Sequence, residues 1–148
     1  MSIVAWDGKI LAADKLVVSG ELRSSGTKIV RLETGEILAW TGECGGGMAL
    51  VHWFKHGRLK EDWPEMQKTP DWTRLIVADE SIAYFYEREP FPQIVADPFM
   101  AWGNGRDYAI GAMAMGADAK QAVEVANRFC ISCGGGVDFF ETARDRAP

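Results

Sequence analysis

Asp7-Gly8 stands between Ser2-Ile3-Val4-Ala5-Trp6 and Lys9-Ile10-Leu11-Ala12-Ala13, two short runs rich in β-branched, aromatic and apolar residues. A two-residue Asp-Gly link suits the mirror-image turn that right-twisted strands need, so the chain is predicted to open as an antiparallel hairpin. A second hairpin follows. Residues 16–18 form a short extended piece and residues 19–26 a polar loop. Residues 27–32 alternate well enough for a strand, residues 33–36 make a turn, and residues 37–41 form the returning strand.

The pattern then changes period. Gly42-Glu43-Cys44-Gly45-Gly46-Gly47 reads as a loop that lets backbone approach closely, and residues 48–56 are apolar on most faces, as a buried helix would be. Gly57 is a natural stop. Residues 58–71, with Trp63-Pro64 and Thr69-Pro70, are the most loop-like part of the chain. Strands are predicted over 73–78 and 81–87, joined at Asp79-Glu80 and ended by Pro90 and Pro92. Residues 99–103 are predicted to be a short last strand of this set, and Gly103-Asn104-Gly105 turns it into a small-residue helix over 106–115. Asp118 and Gln121 have capping-box spacing for a further helix, with Ala122, Val123 and Ala126 on one face. Gly134-Gly135-Gly136 breaks it, and residues 137–140 make a final strand.

At 148 residues, with 47% hydrophobic and 25% charged content, the chain is expected to be one soluble globular domain spanning 1–148. A formal net charge of −5 argues against nucleic acid or an anionic membrane as partner. No apolar stretch reaches the roughly 18 residues that a membrane span needs, and Asp7 and Asp14 interrupt the region where a signal peptide keeps its apolar core. Three cysteines fit a reducing compartment, and the expected location is cytoplasmic. The order of strands, helix, strands, two helices and strand is satisfied by an α+β fold. In it, two antiparallel sheets lie face to face with helices outside them, a four-layer αββα sandwich.

Four stretches, in this order, resemble the proteasome β-subunit and HslV-like family of N-terminal-nucleophile (Ntn) hydrolases, in a compact form of bacterial or bacteriophage type. They are Ser2-Ile3-Val4 with Leu11-Ala12-Ala13-Asp14, then Thr27-Lys28-Ile29-Val30-Arg31-Leu32, then Trp40-Thr41-Gly42 with the apolar helix after it, and Gly103-Asn104-Gly105-Arg106-Asp107-Tyr108-Ala109. The resemblance implies the Ntn-hydrolase fold and a serine version of a threonine-type peptidase, acting through an acyl-enzyme after Met1 is removed.

Carried over residue by residue, the resemblance makes Ser2 the nucleophile, Lys28 the cation beside it and Asp14 the carboxylate that orients the lysine. It puts the oxyanion donor at a backbone N–H near Ala39, and Asn104 where the family has a serine that assists the terminal amine. The chemistry of the bare residues agrees: a hydroxyl needs a base, and a free α-amino group with a pKa of about 8 can serve at neutral pH. The resemblance also implies homo-oligomeric rings, peptide or unfolded protein as substrate, and an ATPase unfoldase as a possible partner. No cofactor is required, although Asn127, Cys130 and Cys133 resemble the turn whose carbonyls bind a sodium ion. Only Ser2 separates Met1 from Ile3, where the family has two residues, and this with Asn104 keeps open a catalytically inactive, self-assembling Ntn-fold protein.

Other residue patterns point to structure. Cys130-Ile131-Ser132-Cys133 has Cys-x-x-Cys spacing, but it lies at a helix end and has no second pair for zinc. His52 and His56 are four apart on one helix without a glutamate after His52, and are expected to pack. Trp40, Trp53 and Trp102 fall in elements that need core residues.

Overall fold

The structure is a computed structural model that describes residues 2–80 and 82–142. The expected removal of Met1 and the expected start of a strand at Ser81 lie outside the described residues.

The opening hairpin is β1 (Ile3–Trp6) and β2 (Ile10–Asp14), paired Val4 to Ala13 and Ala5 to Ala12. β10 (Met100–Gly103) lies on the outer side of β1 and β11 (Val137–Glu141) on the outer side of β2, giving a four-stranded antiparallel sheet in the order β10-β1-β2-β11. The second sheet has five strands in sequence order: β5 (Ile29–Arg31), β6 (Ile37–Thr41), β7 (Arg74–Asp79), β8 (Ile82–Tyr86) and β9 (Gln93–Ile94). Three helices complete the layers: α1 (Cys44–Lys55), α2 (Arg106–Ala114) and α3 (Ala119–Phe129).

Strand periodicity assigns each side chain to a layer, because successive residues of a strand point to opposite faces. Ile3, Ala5, Ile10 and Ala12 pack on α2 and α3 through Ala109, Met113, Ala122, Val123 and Ala126. Val4, Trp6, Leu11 and Ala13 face the other sheet and meet Ile37, Ala39, Ile76 and Ala78. Leu38, Leu75 and Val77 point the opposite way, onto Leu50, Trp53 and Phe54 of α1. The central strands of both sheets are therefore buried on both faces, and the expected αββα sandwich is the observed one. A slip of one residue in β1 or β6 would send each of these sets to the wrong layer, which fixes the register.

Four features differ from the sequence reading. The strand expected to be the last of the 73–87 set, β10, pairs instead with β1 in the first sheet. The polar loop predicted over 19–26 contains β4 (Leu22–Ser25), which pairs with β3 (Leu16–Ser19) in a hairpin apart from the two main sheets. All four residues of β4 are exposed, so no apolar alternation marks it. The short edge strand β9 follows the two prolines expected to end the sheet. The glycine-rich stretch is helix from Cys44 onward: Gly46 and Gly47 are buried, and a Cβ on Gly47 would fall on the Trp40 indole. These glycines are there for close approach of helix to sheet, which offsets the roughly 1 kcal/mol that each costs a helix. The predicted cap on α3 is present, with Asp118 accepting from the Gln121 amide at 2.8 Å and the Gln121 side chain accepting from the Asp118 amide at 3.0 Å. Trp40, Trp53 and Trp102 are all buried.

Candidate active site

β2 ends in Asp14 and β5 begins after Lys28, and the face-to-face packing of their sheets brings the two side chains together. Lys28 Nζ donates to Asp14 Oδ1 at 2.8 Å, with the residues 2% and 0% exposed. Removing two charges from water is costly, and a buried pair persists only where further hydrogen bonds satisfy it. Here Asp14 Oδ1 also accepts from the Ile3 amide at 3.2 Å, and Oδ2 accepts from the Gly134 amide at 3.2 Å. One carboxylate thus holds the lysine, the chain start and the glycine turn before β11. The backbone of Lys28 is held as well, its carbonyl accepting from the Trp40 amide at 3.1 Å.

Ser2 is fixed by its backbone. Its carbonyl accepts from the Gly105 amide at 3.4 Å, and Ile3 pairs with Gly103 across β1 and β10. Gly103 has φ 102° and lies so close that a Cβ there would strike the Ser2 carbonyl oxygen. Only glycine combines that backbone with that approach. Asn104 sits between these two glycines and is exposed. The Ser2 side chain is 0% exposed, and its Oγ has no hydrogen-bond partner.

A cleft of about 420 Å³ opens beside Lys28. β3 forms one side, the 42–45 segment at the start of α1 another, and Asp71 with Trp72 a third. Ser132, next to the Gly134 turn, also lines it, whereas Ser2 is not among its lining residues. The first amides of a helix have no intrahelical acceptor, and Gly47 is the first residue of α1 to donate back, to the Glu43 carbonyl at 2.9 Å. The amides of Cys44, Gly45 and Gly46 therefore end the helix at the cleft with the positive end of its dipole. Ala39 is placed differently. It lies within β6, paired with Ile29 and Ile76, and its side chain is in the core between the sheets. Neighbouring amides in a strand point to opposite edges; since that of Trp40 goes to Lys28, that of Ala39 points toward β7.

The predicted turn residues cluster behind Asp14. Cys130 caps α3 and its carbonyl accepts from the Cys133 amide at 3.2 Å. Asn127 Nδ2 donates to the Gly136 carbonyl at 2.9 Å, while its Oδ1 is buried without a partner. Burial pushes the Cys133 thiol well above the usual thiol range, with a hydrogen bond to Cys130 and the Asp14 charge adding to the shift. His52 and His56 stack with ring centroids 3.9 Å apart, and among the described residues no group of histidine, cysteine and carboxylate side chains is arranged to hold a metal.

The residue that sequence reasoning missed is Gln67, in the segment taken for a loop. It is fully buried in a single 3-10 turn (Glu65–Lys68), donates to the carbonyls of Thr73 and Glu87 at 2.7 and 2.6 Å, and accepts from the Thr73 amide at 2.9 Å. Thr73 Oγ1 in turn donates to the Glu43 carbonyl at 3.3 Å. Gln67 and Thr73 thereby join two sides of the cleft. A glutamine among exposed polar residues carries no signal of this, and the flanking Trp63-Pro64 and Thr69-Pro70 read as loop.

No family model matches the chain, and no curated protein matches it. Solved structures do. Thiobacillus denitrificans BPH, in complex with epoxomicin, superposes with a TM-score of 0.75 at 21% identity, covering 96% of this chain and 98% of that one. HslV from Trypanosoma brucei gives 0.70 at 18% identity, over 95% and 97%. Anbu from Hyphomicrobium sp. strain MC1 gives 0.71 at 14%, over 95% and 81%. At these identities the likeness is one of fold, the four-layer αββα sandwich that this chain has in common with BPH, HslV and Anbu.

Proposed function

We propose that the chain is a peptidase whose nucleophile is Ser2, exposed as an N-terminal residue once Met1 is cleaved off. The observation that carries this reading is the buried Asp14–Lys28 pair, bonded through Asp14 to the Ile3 amide, with Lys28 lining a cleft at the start of α1. In the proposed reaction Ser2 Oγ attacks a peptide carbonyl carbon while the Ser2 amine takes its proton. The Lys28 ammonium favours the neutral amine and the developing alkoxide. The oxyanion is stabilised by first-turn amides of α1, those of Cys44 and Gly45, in place of the amide near Ala39. The C–N bond breaks, the leaving amine departs with the proton, and water then hydrolyses the Ser2 ester to regenerate the hydroxyl. Asn104, in the turn beside the Ser2 backbone, hydrogen-bonds the new amine but passes no proton as a serine would.

A monovalent cation fits the turn behind the site through Asn127 Oδ1, the buried acceptor without a partner, together with backbone carbonyls and not the thiols. It would brace the segment that presents the Gly134 amide. A homo-oligomeric ring, peptide or unfolded-protein substrates and an ATPase unfoldase belong to the same proposal. Exposed apolar side chains around α2 and α3, Met115 at 89% and Ile131 at 91% exposure, support the assembly.

One observation favours the inactive alternative: Ser2 Oγ is buried, unpartnered and outside the cleft lining. Intact mass and a peptide epoxyketone separate the two. An active enzyme lacks Met1 and gains the mass of the inhibitor on Ser2, and Ser2→Ala loses both labelling and peptide cleavage with assembly unchanged. Complete retention of Met1 with no labelling would end the peptidase reading.

A further inference from the structure

Within the lining of the cleft the charges are unbalanced. Lys28 contributes one positive charge to its lining, and Asp14 neutralises it at 2.8 Å. The two remaining charged residues of the lining, Glu43 and Asp71, are both exposed carboxylates. Glu43 is the N-cap residue of α1, yet its side chain makes no capping hydrogen bond, which leaves the carboxylate available to a ligand. Its extended backbone, φ −68° and ψ 133°, accepts a side chain without strain.

Trp72 stands beside Asp71 and also borders a second hollow, lined by Arg74 and Glu87. The Arg74 guanidinium carbon lies 5.2 Å from the indole centroid, so this ring already holds one cation by its π-system. Neither wall is loose. The Thr73 hydroxyl bonds the Glu43 carbonyl, and Gln67 bonds both backbone groups of Thr73, so the two carboxylates are presented from backbone that is tied together. Across from them run Leu16, Val17 and Val18 of β3, an apolar strip beside which an extended backbone can lie.

We infer that this cleft selects a peptide carrying a lysine or arginine side chain, whose charge is met by Glu43 and Asp71 and whose stem lies along Trp72. The inference rests on the cleft being the peptide-binding site, but not on any bond being cut there. Lysine and arginine suit it better than a small cation because their stems cover apolar surface while the charged head stays at the polar rim.

The test uses the Ser2→Ala protein, which binds without turnover, and three fluorescein-labelled tetrapeptide amides that differ only in one central residue: arginine, leucine or glutamate. Fluorescence anisotropy is expected to show the arginine peptide binding about threefold to tenfold more tightly than the leucine peptide, and the glutamate peptide most weakly, as partly exposed charge pairs allow. The preference shrinks when salt is raised from about 0.05 M to about 0.5 M, because exposed charges are screened. Asp71→Asn and Glu43→Gln each lower the arginine preference by about twofold to fivefold, and Asp71→Lys turns it toward glutamate. Equal binding of the three peptides, no binding of any, or a preference untouched by both neutralising variants overturns the inference. Selective binding by a protein that never labels with an epoxyketone leaves the inference standing and removes the peptidase reading. Cleavage without charge preference by the unmodified protein does the reverse.

Discussion

Asp14 and Lys28 illustrate how a pair of charges can be worth little as a pair and much as a requirement. The attraction between them roughly repays their desolvation, but removing one partner strands the other in a dry interior. Lys28→Met is accordingly expected to lower stability by about 3–5 kcal/mol, read by urea denaturation, whereas an exposed lysine such as Lys68 can be replaced with little change. A second prediction concerns the thiols. The Cys133 thiol, pushed up by burial, is expected to stay unmodified when the native protein is treated with iodoacetamide near neutral pH, while the partly exposed Cys44 and Cys130 react; peptide mass mapping reads each site. At this scale Ser2, Asp14 and Lys28 were singled out by the family resemblance of the strands that carry them, since Asp14 and Lys28 taken alone read as surface charges. The acidic wall was not, because Glu43 and Asp71 are far apart in sequence and nothing in their own neighbourhoods says that they share a cleft.

Elements that bury both faces were legible for the same reason that they fold: β1, β2, β6 and β7 are apolar runs bounded by turns, and their observed limits fall within about a residue or two of the predicted ones. The start of α1 was not, since glycine ordinarily signals a loop and here signals close packing. Gly47→Ala tests that reading. Helix propensity alone would favour alanine by about 1 kcal/mol, but its methyl meets Trp40, and overpacking of this kind typically costs about 1–3 kcal/mol. A net loss of stability in thermal melts is expected.

Arg74 of β7 and Glu87, just after β8, form a pH-sensitive clasp. Burial tends to raise the Glu87 carboxyl, yet the bonds and charge of Arg74, at 2.6 and 3.0 Å, with a bond from Gln93, hold it below its ordinary value. A depressed carboxyl stabilises the fold above its unfolded pKa and loses that contribution as pH falls through the folded value, so the clasp weakens on the acid side of the ordinary carboxylate range. Asp79, raised by burial and by Glu36 and Glu80, acts in the opposite sense, its contribution being lost as pH rises. Arg74→Ala should therefore flatten the acid-side fall of melting temperature and leave the contribution of Asp79 in place.

For the whole molecule, two double-faced sheets leave α1 on one outer layer and α2 with α3 on the other. The second of these carries the Tyr108–Phe129 ring stack, Met115 and Ile131 into solvent. A molecule of this size rarely displays such a set without covering it. Light scattering is expected to give a multiple of 16.3 kDa, and Ile131→Glu to shift it toward the single chain; a monomeric mass for the unmodified protein would remove the proposed ring. The sandwich was readable from the order of elements because each had to cover an amphipathic neighbour, while assembly depends on surfaces that no period in the sequence reveals.

The three donors gathered by Asp14 come from positions 11, 14 and 120 residues away along the chain. A chain emerging from the ribosome can form its opening hairpin, and even bring Lys28 to Asp14, long before Gly134 has been made. Until that amide arrives the carboxylate is short of a partner and the pocket behind it is open to water. The Asp14 network is in this sense completed only when the end of the chain has been made, and under the proposed reading a partly synthesised chain lacks the assembled centre. Pulsed hydrogen exchange should find the Gly134 amide protected only with the global folding step.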